Sequence, residues 1–340
     1  MNPLYPILVE NQMGHGYLSK FLKPTDWHYK NIVPKGTPPV DWTVPYDVEK
    51  AIGFTLPDKN QGVSGSCGGQ MTSYLAQAIF GDSERSAKFA YDPVAQPGGG
   101  SYAGDLMARL KNIGVSSEIL CPSYENGNPP SEAFMEAPDI TAAAINDAAM
   151  NKDGGYSFIL DFNIDVLAQA IRDNVAIGGA LLGQNNGTWL SSFPAPPTSA
   201  EWGHFIFLGR YAMINGKKYI GFKNSWGPTV GDKGWQWIGE DYINSGFFEL
   251  GIVISKTVAS YQFNKDLFVG MTDADVFFLQ KRLNQNPATQ IATSGPGSPG
   301  NETYYFGALT KAAVIRYQQQ NGITPSVGFV GSITRSFLNK

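Results

Sequence analysis

NQGVSGSCGGQ, residues 60–70, is the stretch from which the rest of the chain can be read. Glycines surround Cys67, and the run continues as MTSYLAQAIF (71–80), where Met71, Tyr74, Leu75 and Ala78 recur at helical spacing. The pattern predicts a helix from Cys67 to Phe80 with the cysteine in its first turn, where unpaired N–H groups and the helix dipole stabilise a thiolate. Taken alone, a cysteine in such a turn is more often a small buried residue. Its company changes that. Gln61, six residues upstream, can aim its side-chain amide at the same point and, with the Cys67 N–H, hold a developing oxyanion.

Farther along, His204 begins a strand-like run in WGHFIFLGRY (202–211), and Asn224 lies twenty residues later in GFKNSWG (221–227). Taken alone, the histidine is more often a satisfied core residue. A hairpin would bring Asn224 beside it, and an Asn carbonyl accepting the imidazole N–H fixes the tautomer and ring plane. The ordered set Gln61, Cys67, His204, Asn224 points to nucleophilic catalysis by a thiolate beside an imidazolium.

The 340-residue chain is long enough for one large and one small domain. Hydrophobic residues at 42% and charged residues at 16% describe a globular protein. The net charge of -4 gives no reason to expect nucleic acid or a membrane surface. Residues 261–340 carry a net charge of +3, so the tail reads as a separate module. The two cysteines, Cys67 and Cys121, are too few for a disulfide scaffold, which leaves Cys121 as a buried free thiol. His15, His28 and His204 lie in no metal-ligand pattern, so neither metal nor cofactor is expected. No signal peptide or membrane span is visible, and the export route stays open.

Residues 1–36 look irregular and end in breaker-rich sequence. Helices are expected over 67–80, 105–113 and 164–174. Beyond residue 175 the texture turns to short strands: AIGGALLG, HFIFLGRYAM, KKYIGFKNSW, GWQWIG and LGIVIS. The fold class is therefore α+β, with a helical front half and a strand-rich back half. In the tail, Thr272 and Asp275 suggest a capping box for a helix that places Val276, Leu279 and Leu283 on one face. A second helix stops at Gly322 and a third follows Ser332. Together they make a small all-α domain.

NQGVSGSCGGQ, WGHFIFLGRY and KNSWG resemble the three active-site signatures of papain-like cysteine peptidases, in that family's order and with similar separations. PVDW (39–42) resembles the start of the mature enzyme, and NSWGPTVGDKGWQWI aligns with the family's downstream block without a gap. The resemblance covers about residues 37–256. It implies a two-lobed fold, a helical lobe against a β-barrel lobe, with the active site between them. It implies Cys67 as nucleophile, His204 as general acid/base, Asn224 as its orienter and Gln61 as the oxyanion side chain. Trp226 would shield the His204–Asn224 hydrogen bond, and Gly99 and Gly100 match the glycine pair that holds an extended substrate. The substrate would be a protein or peptide, handled by a monomer.

Four positions depart from the family pattern. Ser64 stands where a disulfide cysteine is usual. Gly68 replaces an aromatic, which is expected to open the cleft floor. Gly203 replaces an acidic residue, and Val230 a tryptophan. Residues 1–36 read either as a short inhibitory propeptide or as a permanent arm on a catalytic domain spanning 37–258.

In the tail, DVFFLQKRLN, FGALTKAAVIRYQQQNGI and GFVGSITRSFL resemble a peptidoglycan-binding-like domain of bacterial and phage wall enzymes, placed at 263–340. The resemblance implies an extracellular or wall-associated location. It leaves three functions to weigh: a wall-targeted endopeptidase, a hydrolase of peptidoglycan stem peptides, or a non-catalytic wall-binding scaffold. Tyr304, Tyr305 and Phe306 are candidates to stack on sugars, although such a cluster is more often core.

Overall fold

In the computed structural model, which describes residues 13–18, 38–81, 83–256, 263–299 and 301–339, the chain divides into units of 1–258 and 259–340. In the first, Tyr46–Asp47 (β1) leads into Val48–Ile52 (α1), where the Asp47 carboxylate accepts the Glu49 N–H. The helix expected over 67–80 is there as Cys67–Phe80 (α2), and every residue in it except Phe80 is buried. Ala87–Tyr91 (α3), Ala103–Asn112 (α4), Glu132–Met135 (α5) and Ala142–Ala148 (α6) complete the helical front half. Helix α4 starts two residues before the expected Asp105, because Ala103 belongs to the buried face with Leu106 and Leu110.

Asp153–Ile159 (β2) then precedes Ile164–Asn174 (α7), which is capped by Asn163. The expected strands follow as Ile177–Gly183 (β3), Trp202–Ile214 (β4), Lys217–Lys223 (β5), Trp235–Gly239 (β6) and, after the short helix Glu240–Ile243 (α8), Phe248–Lys256 (β7). All pair antiparallel in the order β2-β7-β3-β4-β5-β6, with β1 added on β4. The split into front helices and back strands is therefore not clean. DGGYSFI opens on a glycine pair that hides its strand character, and β2 reaches its place only by pairing with the distant β7.

Side chains alternate across β4, and the two sets build two cores. Phe205 and Phe207 meet Met71 and Leu75 of α2 together with Ile252 of β7. Ile206 and Leu208 face Ile164, Leu167 and Ile171 of α7 together with Phe222 of β5. The start of α2 is thus pressed against the start of β4, where Cys67 and His204 sit. Cys121 is a free thiol buried with Phe89, Ala144 and Ala148.

The second unit carries Ala274–Asn284 (α9), Ala308–Gln320 (α10) and Ser332–Leu338 (α11). Val276, Leu279 and Leu283 are buried on one face, as their spacing predicts. The cap differs from expectation. Thr272 is engaged in an antiparallel bridge with Tyr305, so the helix begins one residue later and the Asp273 carboxylate accepts the Asp275 N–H. Phe306 is fully buried and Tyr304 stacks on Phe277, which leaves Tyr305 the most exposed of the three. Among the described residues no helix is long and apolar enough to cross a membrane, and no group of three His, Cys, Asp or Glu could hold a metal.

Leu75 is completely buried where α2 meets the sheet. Leu75→Ala should cost about 2–5 kcal/mol of folding stability, measurable as a lower denaturation midpoint with an unchanged slope.

Candidate active site

The site begins at the uncapped end of α2. Ser66, its N-cap residue, makes no side-chain bond to a first-turn N–H, and from the helix its hydroxyl takes only the Gln70 side-chain amide, at 3.4 Å. Its hydroxyl instead pairs with that of Ser64 at 2.7 Å. The first-turn N–H groups are therefore left facing Cys67. The Phe205 N–H donates to Cys67 Sγ at 3.4 Å, which sets the sulfur directly beside the residue following His204. His204 Nε2 and Asn224 Oδ1 are 2.9 Å apart and both side chains are buried. His204 Nδ1 makes no hydrogen bond, so its lone pair stays available. Trp226 lies against the imidazole with ring centroids 4.8 Å apart, covering the His204–Asn224 pair.

Gln61 is held at both ends of its amide. The Ser225 hydroxyl donates to its Oε1 at 2.6 Å, and its Nε2 donates to the Ser64 carbonyl at 2.8 Å. The four residues expected from sequence thus come together from α2, β4 and the turns before α2 and after β5.

The glycine pair sits nearby, with Gly99 and Gly100 both at φ 90°, a left-handed conformation that suits glycine. The Gly100 N–H is already used, donating to the Tyr91 hydroxyl at 2.7 Å. Tyr91 in turn donates to Glu132, whose other oxygen accepts the Gly65 N–H. The backbone that engages an extended partner belongs to the next residue, Ser101.

That partner is the chain itself. Residues 13–18 run through the site: Ser101 N–H donates to the Gly16 carbonyl at 2.8 Å, and Leu18 N–H to the Ser101 carbonyl at 3.1 Å. The Gly16 and Tyr17 N–H groups both donate to the Gly203 carbonyl, at 3.1 and 3.0 Å. Trp226 Nε1 donates to the Gly14 carbonyl at 3.0 Å. The His15 ring stacks on Trp202 at 4.3 Å and meets the edge of Trp226 at 5.4 Å. Most of the 1–36 extension lies outside the described residues, but this part of it fills the site.

Such close packing needs bare backbone on both sides. A Cβ on Gly16 would lie 1.7 Å from the Gly65 carbonyl oxygen, and one on Gly203 would lie 2.3 Å from that of Tyr17. The glycine that replaces an acidic residue before His204 is therefore explained by the segment lying on it. Gly68 corrects an expectation. The cleft floor is not opened there, because Leu106 and Ser101 fill the space: a Cβ would meet both at 2.5 Å.

Burial sets the protonation states. It pushes the Cys67 thiol up to about 12, against hydrogen bonds from Phe205, Gly68 and Gly16 that pull it down. Burial, helped by His15 nearby and opposed by the bond to Asn224, lowers His204 to about 3. His15 itself is lowered to about 4 by burial. With residues 13–18 in place, sulfur and imidazole are both neutral, not the thiolate–imidazolium pair expected for a working site.

The geometry is that of a cysteine-protease fold. Solved structures that share it are papain-like cysteine proteases. Xylellain, a cysteine protease from Xylella fastidiosa, matches with 21% identity and a TM-score of 0.59 over 72% of this chain and 97% of its own. Procathepsin B S9 from Trypanosoma congolense matches with 12% identity and a TM-score of 0.56, over 73% of this chain and 88% of its own. The digestive procathepsin L2 proteinase of Tenebrio molitor larval midgut gives 20% identity and 0.52, over 74% and 76%. At these identities the likeness speaks for the fold. Residues 272–338 match the family model described as a putative peptidoglycan binding domain. No curated protein matches the chain at the level of sequence.

Several residues at the site escaped the sequence reading. His15 had a local signal, a histidine between two glycines, but nothing in the sequence says where that segment docks. Trp202, Ser101, Tyr91 and Glu132 carry no signal of their own.

Gly16→Leu cannot keep the Gly65 contact, so it should expose Cys67 and speed its alkylation by iodoacetamide at least about tenfold at pH 7, with peptide mapping to separate Cys67 from Cys121. Acid should act in the same direction. His15 and His204 bind protons more weakly with the segment docked than free, so falling pH favours the undocked form, from pH 6.5 down through about 4. Amide exchange protection at Gly16 and Tyr17 should therefore weaken across that window, and His15→Phe should preserve it to lower pH.

Proposed function

We propose that this chain is a cysteine endopeptidase held latent by its own residues 13–18. The observation that carries the reading is the buried His204–Asn224 hydrogen bond at 2.9 Å, next to a Cys67 sulfur fixed on the Phe205 N–H. Once the segment leaves, water and substrate re-enter, and the burial that keeps both groups neutral is relieved. His204 Nδ1 then takes the thiol proton, and the thiolate attacks the substrate carbonyl. The Cys67 N–H and Gln61 Nε2 receive the oxyanion. The imidazolium gives its proton to the leaving amine, which departs and leaves a thioester. Water hydrolyses the thioester with His204 as base.

Residues 13–18 are held across the site by their backbone: the Gly16 and Tyr17 N–H groups donate to the Gly203 carbonyl, and the Gly16 carbonyl accepts the Ser101 N–H, so the segment occupies the place an extended substrate would take.

In this reading the helices α1–α6 and the antiparallel sheet are the two lobes of the papain-like fold. The three helices of residues 263–340 form a targeting module that brings a monomeric, exported enzyme to peptidoglycan. Protein or peptide is the substrate. The match of residues 272–338 to a peptidoglycan-binding family model favours a second reading, in which stem peptides of the wall are themselves cut.

In a Gly16→Leu background, Cys67→Ala should reduce hydrolysis of an unstructured protein by about a thousandfold or more; unchanged turnover would refute the peptidase. Peptides released from purified sacculi by the same background, and lost with Cys67→Ala, would establish the second reading.

A further inference from the structure

We infer that Gln236, a residue outside the Cys67–His204–Asn224 set, locks the tautomer of His204 through Asn224. The inference rests on the reading of His204 as the base. Strand β6 reads WQWIG, and Gln236 points its amide inward, fully buried. Its Nε2 lies 2.7 Å from the Trp189 carbonyl and 2.6 Å from that of Ser191. Both carbonyls accept only, so both Nε2 protons are committed, and a turned amide would set oxygen against two oxygens. They are also fixed in place, because the loop that carries them is tied to β6 by the Trp237 N–H donating to the Ser192 carbonyl at 2.8 Å.

With Nε2 committed, Gln236 Oε1 can only accept, and the Asn224 Nδ2 donates to it at 2.7 Å. This turns Asn224 Oδ1 toward His204 Nε2. The Ser225 N–H reaches the same oxygen at 2.7 Å. That contact comes from the adjacent peptide and marks which atom is the acceptor; Gln236 decides where the amide stands. His204 must then carry its proton on Nε2, which leaves Nδ1 bare for the Cys67 thiol. Two main-chain carbonyls, chemically unable to choose, thus settle the protonation pattern of a histidine three hydrogen bonds away. Gln236 touches neither substrate nor sulfur and is a positioning residue.

The full-length chain tests this without turnover, because His204 is neutral at pH 7 with residues 13–18 docked. Long-range proton–nitrogen correlation on histidine-labelled protein reads which ring nitrogen carries hydrogen, and single substitutions of His15 and His28 assign the signals. The parent should show His204 purely as the Nε2–H form. Gln236→Met, of similar length and without polar atoms, strands Asn224 Nδ2 in a buried site; a substantial Nδ1–H population should appear. Gln236→Leu does the same with a different shape, should the Met chain not fold. Gln236→Glu, its buried carboxyl kept protonated by the two facing carbonyls, donates to one of them and keeps its other oxygen for Asn224, so it should restore most of the Nε2–H form. A folded Met or Leu chain that keeps the pure Nε2–H signature overturns the inference. Failure of the peptidase reading would show instead as absent hydrolysis with these tautomer shifts intact.

Discussion

The Phe205 N–H on the Cys67 sulfur is the contact on which the site depends, because it joins residues 138 positions apart. It exists only because the first turn of α2 is pressed against the first residues of β4. That placement in turn requires Met71 and Leu75 to bury against Phe205, Phe207 and Ile252. Core packing therefore sets the distance between sulfur and imidazole. The polar groups then add direction: Ser225 turns the Gln61 amide, and Gln236 turns that of Asn224. A cysteine alone in a glycine-rich turn would do none of this chemistry.

The same packing makes the closed form intelligible. Bare backbone at Gly16 meets Gly65, and Gly203 leaves room for Tyr17, so the segment lies against the cleft without a gap. Exclusion of water then shifts both reacting groups to their neutral forms, the sulfur upward and the imidazole downward. Latency in this account is steric and electrostatic at once. In the proposed enzyme one short stretch of chain would block access and also disarm what it covers.

Much of this was legible in the sequence, but not evenly. Helix α2 and the strands from β3 to β7 could be read from local periodicity, because their buried faces repeat at regular spacing. Cys67, His204 and Asn224 could be read only as an ordered set, since each alone has an equally good structural explanation. The strand β2 was missed because its glycine pair has no β propensity and its pairing partner is nearly a hundred residues away. The docking of His15 and the role of Gln236 are tertiary facts. A glutamine between two tryptophans in a strand signals a buried polar group, yet not which amide it turns. At the tail helix two neighbouring caps competed, and the bridge from Thr272 to Tyr305 decided for Asp273.

The central claim is that Cys67 forms a covalent bond with substrate once residues 13–18 are displaced. Acid-quenched intact-mass measurement of the Gly16→Leu chain reacting with an activated peptide ester tests it most directly. The account predicts one acyl group per chain, carried on Cys67 as a thioester that hydroxylamine removes. No adduct, or an adduct on Cys121, would contradict it.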